Sequence, residues 1–354
     1  MTNVMKNQFG NPSSVHSFGR ESRVVIETAR KKIAKLLNAS TSEIFFTSGG
    51  TEADNMAIQG CVNDLGIKRI ITSPIEHYAV LYSVKAITQQ NKAKIEYVSL
   101  TKDGHINTAH LEELLDNSER SLVALMHANN EMGNMINMEE VAELCSIHDA
   151  VFMSDTVQTM GHFPFNLSET KLHFISASAH KFHGPKGTGF IYIDSNLKLK
   201  PLLYGGSQER NMRAGTENLY GIAGMARALE LSYSDLENHH KHILKLKYKM
   251  MSEIKNAIPD AKFVGDPAGN SLYTILTVVF PETTKSQMLL YNLDIDGVAV
   301  SGGSACVSGA AKSSHVMMSL YADDPGPVIR FSFSRYNTME EVHHCIEKLK
   351  KIFN

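Results

Sequence analysis

The sequence predicts an α/β protein whose larger domain is built around a mostly parallel sheet. Short apolar runs typical of strands alternate with longer segments of helical periodicity through the first part of the chain. Parallel strands need long crossover connections, and the helical segments supply them on both faces of the sheet. A later change to fewer strands and longer helices predicts a smaller α+β domain at the C-terminus, and a length of 354 residues suits two domains.

The larger domain is predicted to contain a seven-stranded sheet, preceded by an amphipathic helix over residues 21–37. Its predicted strands are the apolar runs 44–47, 70–72, 95–98, 122–126, 151–153, 174–177 and 188–193. A long helical stretch then runs from Asn218 into the 250s. The smaller domain is predicted from strands at 273–280, 298–300 and 328–333 and a final helix over 339–352.

We place the larger domain at residues 1–235 and the smaller one at residues 236–354. Whether residues 1–15 pack with the smaller domain is left open.

Composition and charge exclude several classes of protein. With 35 basic and 37 acidic side chains the formal charge is -2, so the chain lacks the basic character typical of proteins that bind nucleic acid or anionic membranes. Its apolar runs are too short to span a membrane, and its first residues do not form a signal peptide. The widely spaced cysteines argue against a disulfide framework or a zinc site. They are Cys61, Cys145, Cys306 and Cys345. We expect a reduced, cytoplasmic protein that binds small molecules or proteins, and no metal.

A glycine-rich turn after the first predicted strand is a candidate phosphate site. Residues 47–52 read Thr-Ser-Gly-Gly-Thr-Glu and open a helical run. Gly50 lets the backbone approach an anion, the first amides of the helix point outward, and Thr51 adds a hydroxyl. An ordinary glycine turn with a threonine cap explains the same residues. No Gly-Lys-Ser/Thr follows, which excludes the nucleotide P-loop.

Lys181 is the candidate for a covalent bond to an aldehyde cofactor. It follows the strand predicted at 174–177, and parallel sheets bind ligands at the carboxyl ends of their strands. We expect partial burial to favour its neutral, nucleophilic amine. Lys186 competes for this role, but its Gly-Pro-Lys-Gly setting is typical of an exposed turn.

A carboxylate near the end of the neighbouring strand completes a set of groups suited to pyridoxal 5'-phosphate (PLP), which needs a phosphate cradle, a lysine and an acid. Asp155 follows the strand predicted at 151–153, and Gln158 lies in the same turn. An acid here would keep the pyridine nitrogen of the cofactor protonated. From its local sequence alone, Asp155 is equally well interpreted as a helix cap.

Together the motifs resemble the cysteine desulfurases, a branch of the class V aminotransferase family with the fold-type I architecture of PLP-dependent transferases. The resemblance covers nearly the whole chain, and the number and order of its motifs exclude chance. The matching segments are 9–16 (FGNPSSVH), 47–55 (TSGGTEADN), 76–77 (EH), 127–133 (HANNEMG), 178–181 (SAHK), 205–210 (GGSQER), 213–218 (RAGTEN), 304–306 (SAC) and 330–332 (RFS).

The resemblance implies a role for each matching residue of the cofactor site. Lys181 would hold PLP covalently, Asp155 would pair with the pyridine nitrogen, and Gln158 would contact the ring hydroxyl. His77 would stack on the ring and assist proton transfer. The phosphate would be bound by Gly50, Thr51, Ser178 and His180, with Thr216 reaching over from the other subunit of a homodimer.

The resemblance also implies the reaction. Asn130 and Arg330 would hold the carboxylate of L-cysteine, since a guanidinium matches a carboxylate bidentately. Cys306 would attack the substrate sulfur, keep it as a persulfide and leave alanine. The sulfur would pass to an iron–sulfur scaffold protein or to a tRNA or cofactor thiolation pathway. Residues 301–311 include almost no bulky side chains that could anchor the cysteine, which suits a sulfur that has to travel.

The other cysteines have no such setting. Cys61 and Cys145 fall within helical apolar patterns, which predicts core packing. Cys345 follows two histidines, but adjacent residues on a helix point in different directions, so we interpret it as part of a solvated helix face rather than as a metal ligand.

Two departures from the family pattern leave alternatives open. Family members begin with a strand and an Ala-Thr-Thr-like turn upstream of the Asn-Pro-Ser-Ser motif, and this sequence starts without them, so we expect lower activity than in a chain that carries them. Residues 310–315 lack a Glu-Pro common in the family, although the span from Cys306 to Arg330 resembles the group with a long cysteine loop. The alternatives are another class V aminotransferase, a lyase acting on selenocysteine or cysteine sulfinate, and a catalytically impaired homologue.

Overall fold

The computed structural model describes residues 1–116, 119–302, 314–321 and 323–353, which form two compact units. The first unit consists of Met1–Val98, Thr108–His127 and Asn137–Leu236. The second consists of Ser99–Asn107, Ala128–Ile136 and Glu237–Asn354. Two short segments from the first part of the chain, residues 99–107 and 128–136, therefore belong to the second unit. A single boundary at one position of the sequence cannot describe this division.

The first unit contains a seven-stranded sheet within the described residues, and it confirms the predicted mostly parallel α/β fold. Its strands are β1 (Ile44–Thr47), β2 (Arg69–Thr72), β3 (Lys94–Tyr97), β4 (Ser121–Ala124), β5 (Val151–Asp155), β6 (Phe174–Ser178) and β7 (Gly189–Ile193). They lie in the order β1-β7-β6-β5-β4-β2-β3, and β7 is antiparallel to both neighbours while the other pairs are parallel. All strands except the edge strand β3 are buried along their whole length, as expected for a sheet covered on both faces.

Helices cover this sheet, and their boundaries follow local capping. They are α1 (Thr2–Asn7), α2 (Ser17–Leu36), α3 (Gly50–Asn63), α4 (Tyr78–Gln89), α5 (Thr108–Leu115), α6 (Met138–Ile147) and α7 (Leu219–Tyr233). In α2 the predicted apolar positions Ala29 and Ile33 are buried together with Ile26, whereas Val24, which the helical spacing also placed on that face, is exposed. The ring of His16 caps its N-terminus by accepting a hydrogen bond from the amide of Gly19 at 3.2 Å.

The second unit is built on a three-stranded antiparallel sheet in the described residues, in the order β10-β9-β8. Its strands are β8 (Lys262–Phe263), β9 (Ile275–Val279) and β10 (Val328–Ser332). Its helices are α8 (Leu236–Ala257), which begins at the boundary of the unit, α9 (Leu289–Ile295), α10 (His315–Leu320) and α11 (Met339–Phe353).

Two sequence predictions for this part of the chain were wrong. The helical stretch from Asn218 is two helices: α7 ends at Tyr233 with Ser234 as its C-cap, since Ser and Asp residues favour turns over helix interiors. Residues 298–300 form no strand; they follow Gly297, which has a left-handed φ of 81°, and the backbone first pairs at Ser301, opposite Arg330. None of the helices in the described part of the chain combines the length and apolar character needed to cross a lipid bilayer.

Candidate active site

The carboxyl ends of β5 and β6 place several predicted site residues beside one another. Asp155 is the last residue of β5 and stands opposite Ser176 of β6. It is buried, and its Oδ1 accepts hydrogen bonds from the amide of Val157 at 2.8 Å and from the hydroxyl of Ser176 at 3.5 Å. Gln158 lies half-buried in the turn that follows. The carboxylate is therefore fixed in place at the edge of the sheet where ligands of such folds bind.

The electrostatics of Asp155 connect it to two other predicted residues. Burial raises the pKa of its carboxyl group, and the hydrogen bond from Val157 and the electrostatic influence of His77 and Lys181 oppose that rise. His77 and Lys181 are thus the basic residues whose electrostatic influence on Asp155 favours its charged form.

Lys181 lies in a short 3-10 helix, Ala179–Phe182, directly after β6. Its side chain is exposed, so the prediction of partial burial was wrong. The reason is that the 3-10 turn carries the chain beyond the end of the strand instead of continuing it into the sheet. Lys186, the competing candidate, lies in an exposed turn as its sequence predicts.

The predicted phosphate cradle lies at the N-terminus of α3. The cap residue Gly49 has no side chain to bond the first amides of this 14-residue helix, so they remain available to an anion. A Cβ at Gly50 would lie 2.5 Å from Cγ2 of Val157, and only glycine fits there. A Cβ at Gly49 would lie 3.4 Å from Oγ of Ser178, which places that hydroxyl beside the cradle.

Neighbouring residues support the cradle. The hydroxyl of Ser178 and Nδ1 of His180 are hydrogen-bonded at 2.9 Å, and Thr51 is exposed in the first turn of α3. Glu52 would repel an anion at this helix end, but it accepts two hydrogen bonds from the guanidinium of Arg213 at 2.8 and 3.1 Å. The same pair ties the segment that carries the exposed Thr216 to α3.

His77 caps α4, where its Nδ1 accepts a hydrogen bond from the amide of Ala79 at 3.1 Å. Because Nδ1 accepts this hydrogen bond, the ring proton lies on Nε2. The ring is half-buried, which leaves a face open for contact with a ligand. Its predicted position next to the cofactor is compatible with this geometry.

Sequence reasoning missed two buried carboxyl groups near this site. Glu76 accepts hydrogen bonds from the hydroxyl of Ser73 at 2.6 Å and the amide of Met126 at 2.9 Å, and burial raises its pKa to about 8. Asp54 is buried on α3, and burial together with the charge of Asp155 raises its pKa well above its usual range. Both acids lie in segments that match the family pattern, 47–55 and 76–77, but these motifs do not show that the carboxyl groups are buried.

The predicted substrate residues lie in the second unit. Arg330 is on β10, and its Nη1 donates a hydrogen bond to the carbonyl oxygen of Asn130 at 2.6 Å. Both side chains are half-buried. The structure thus brings the two predicted carboxylate ligands together, although they are far apart in the sequence.

The four cysteines differ in their settings. Cys306 lies outside the described residues. Cys61 and Cys145 are buried thiols, which confirms their predicted core packing. Cys345 is also buried, with an exposed fraction of 4%, so the prediction of a solvated position was wrong. It lies on the apolar face of α11 beside Val342 and Ile346, and burial raises its pKa to about 12.

Comparisons with known proteins agree with one another. The sequence pattern described as Aminotransferase class-V matches residues 1–345. The chain is 39% identical over 360 residues to a protein of Dictyoglomus turgidum named cysteine desulfurase IscS, with 99% of this chain and 89% of that protein covered. A solved NifS-like protein is 35% identical with a TM-score of 0.91, covering 99% of this chain and 93% of the other. A structure described as SspA in complex with cysteine is 26% identical with a TM-score of 0.80, covering 95% of this chain and 94% of the other.

Proposed function

The chain belongs to the class V aminotransferase family and is a cysteine desulfurase, and we propose that it takes sulfur from L-cysteine as a persulfide on Cys306 and releases alanine. The observation that carries this proposal is that Asp155 ends β5 and Lys181 follows β6, beside the open N-terminus of α3 with Gly50. These are the residue types that a PLP enzyme needs at this edge of its sheet.

The residues of the first unit fit PLP. The open amides of α3 and the small Gly50 form a cradle for its phosphate, with the hydroxyl of Ser178 at the side. The buried carboxylate of Asp155 needs a compensating positive charge, which a protonated pyridine nitrogen would supply. When bound, PLP withdraws electrons from the α-carbon of an amino acid.

Lys181 and His77 would carry out the proton transfers at this site. The exposed amine of Lys181 would hold the aldehyde of the cofactor, and as a free amine it would take the α-proton of the substrate. His77 is held by its Nδ1 on the α4 amide, so its Nε2 is the atom that can give or take a proton. Gln158 would orient the ring hydroxyl, and Thr51 and His180 would complete the phosphate contacts.

The second unit would bind the substrate and supply the nucleophile. Arg330 and Asn130 would hold the carboxylate of L-cysteine. The thiolate of Cys306 would attack the substrate sulfur, so that the carbon–sulfur bond breaks and the new sulfur–sulfur bond forms. The electron pair left on the substrate carbon would take a proton, which gives alanine.

Further steps follow from the same family membership. We expect a homodimer in which Thr216 contacts the phosphate held by the partner, and a sulfur acceptor that is an iron–sulfur scaffold protein or part of a thiolation pathway. The relative solved with cysteine supports this substrate. The described cysteines, Cys61, Cys145 and Cys345, are free thiols, which suits a reducing, cytoplasmic setting.

Two variants test this function. Alanine and sulfide released from L-cysteine are measured in the presence of a thiol, together with the absorbance of the bound cofactor. Cys306→Ser should lose both products and retain the yellow absorbance, whereas Lys181→Ala should lose the products and the lysine-bound absorbance band. Full sulfide release by Cys306→Ser would sink the assignment of Cys306.

A further inference from the structure

The chain on either side of the Cys306 segment is fixed to one small cluster of the second unit. On the N-terminal side, the amide and carbonyl of Ser301 pair with the backbone of Arg330 at 3.2 and 2.8 Å. On the C-terminal side, the hydroxyl of Ser314 donates a hydrogen bond to Oε2 of Glu131. Cys306 lies between Ser301 and Ser314 in the sequence. One flank thus pairs with Arg330 on β10, and the other binds Glu131, whose neighbour Asn130 accepts a hydrogen bond from Arg330.

Glu131 is itself held at three points. Its amide donates to Oδ1 of Asn129 at 2.9 Å, its carbonyl oxygen accepts from the hydroxyl of Thr277 on β9, and its side chain binds Ser314. The residue is 2% exposed. Its predecessor Asn130 accepts the hydrogen bond from Arg330. A carboxylate this well fixed offers Ser314 a defined anchor rather than a chance surface contact.

The charge of Glu131 is unusual for a residue with only a structural role. Burial raises the pKa of its carboxyl group to about 7, while the hydroxyl of Ser314 and the positive charge of Arg330 oppose the rise. A buried acid is costly, and an apolar side chain would fill the same space at lower cost. The acid is explained if the hydrogen bond to Ser314 and the charge beside Arg330 are both needed.

We propose that Glu131 is a positioning residue that anchors Ser314. Through this anchor it fixes, relative to Arg330, the point from which the chain runs back toward Cys306. The inference rests on the proposed function, in which Arg330 binds the substrate carboxylate and Cys306 accepts its sulfur. Glu131 touches neither the substrate nor the cofactor in this account. It acts through Ser314.

The test uses the holoenzyme and compares Ser314→Ala, Ser314→Thr and Glu131→Gln with wild type. Two readouts are taken: kcat and KM for L-cysteine, and the rate at which limiting iodoacetamide alkylates Cys306, followed by peptide mass spectrometry without substrate. Ser319→Ala is the matched control, because Ser319 is an exposed serine of α10, the helix that Ser314 caps, and its hydroxyl donates to the backbone carbonyl of His315.

Losing the hydrogen bond of Ser314 to a carboxylate should lower kcat about tenfold and change the alkylation rate of Cys306 about threefold or more. KM and the cofactor absorbance should stay near wild type, because Arg330 and the first unit are untouched. Ser314→Thr keeps the hydroxyl and should restore both values. Glu131→Gln keeps a hydrogen-bond acceptor for Ser314 but removes the charge, so its kcat and alkylation rate should lie between those of wild type and Ser314→Ala.

The outcomes separate this inference from the proposed function. If Ser314→Ala has the wild-type kcat and alkylation rate, the anchoring role is overturned, whatever the reaction is. If wild-type protein releases no alanine, the proposed function fails, and the alkylation rates still decide whether Glu131 and Ser314 control Cys306. Should Ser314→Ala not fold, Glu131→Gln answers the same question through the same two readouts.

Discussion

At the scale of single residues, the first unit holds three acids close together and out of water. Asp54 on α3, Glu76 before α4 and Asp155 at the end of β5 each have a raised pKa, mainly from burial, and the charge of Asp155 adds to the rise at both Asp54 and Glu76. Interacting groups of this kind share protons. A change in the protonation of Asp155 therefore alters the pKa of both other acids.

Glu76 makes folding stability depend on pH in a defined direction. Its pKa is about 8 in the folded chain against an ordinary value of 4.5. The folded chain therefore keeps a proton that the unfolded chain loses, and the free energy of unfolding falls as pH rises through this interval. In Glu76→Gln this loss is absent, since the amide can accept from the Met126 amide and donate to Ser73.

Urea unfolding at several pH values across that interval checks this prediction. We expect the stability of wild type to decline more steeply with pH than that of Glu76→Gln. The control Glu113→Gln removes an exposed acid from α5 and should follow wild type. Parallel pH profiles for all three proteins would contradict the buried-acid interpretation.

Gly50 gives a prediction for the cofactor cradle. A Cβ at this position would lie 2.5 Å from Cγ2 of Val157, so Gly50→Ala has to displace the start of α3 or the turn after β5. We expect the affinity for PLP, measured by absorbance titration of the apoprotein, to fall about tenfold or more. The double variant Gly50→Ala/Val157→Ala removes the clash and should recover much of that affinity. No recovery would mean that the contact with Val157 is not the cause.

At the scale of elements, a buried ion pair joins α2 to β1 and to the loop at residues 208–211. Arg30 and Glu209 are each 2% exposed at their side chains and form two hydrogen bonds, at 2.8 and 2.7 Å. Glu209 also accepts the amide of Phe46 at 2.8 Å and has a left-handed φ of 44°. The pair therefore holds a strained loop against the sheet.

Arg30→Ala should destabilise the first unit by about 3 kcal/mol, because it leaves the carboxylate of Glu209 buried without its partner. The double variant Arg30→Met/Glu209→Gln removes both charges, so its free energy of unfolding should fall by less than that of Arg30→Ala. Chemical unfolding of the two variants provides the measurement. Equal decreases in the free energy of unfolding for the two variants would show that the uncompensated charge of Glu209 is not the main cause of the destabilisation.

The elements also show what the sequence can and cannot predict. The final helix was predicted over 339–352 and spans Met339–Phe353, because its apolar period is strong. Its burial of Cys345 was missed, because the neighbouring histidines suggested a polar face. Residues 298–300 have strand-like composition, but a strand also needs a partner, and the pairing of Ser301 with Arg330 is not encoded locally.

At the scale of the whole molecule, the limits of prediction come from long-range contacts. The motif at 127–133 is visible in the sequence, yet nothing local shows that Ala128–Ile136 joins the second unit and brings Asn130 to Arg330. Likewise, the anchoring of Ser314 by Glu131 joins segments far apart in the chain. The residue types of the site were predictable from motifs, while the buried acids and anchors that position them required the fold.

The central claim is that L-cysteine gives its sulfur to Cys306, and peptide mass spectrometry tests it most directly. Holoenzyme is treated with L-cysteine without reductant, excess substrate is removed, and alanine is counted alongside the sulfur gained by each cysteine peptide. The account predicts one additional sulfur atom on the peptide containing Cys306, none on those of the buried Cys61, Cys145 and Cys345, and an equal amount of alanine. Alanine formed with no added sulfur on Cys306, or with the sulfur on another cysteine, would contradict it.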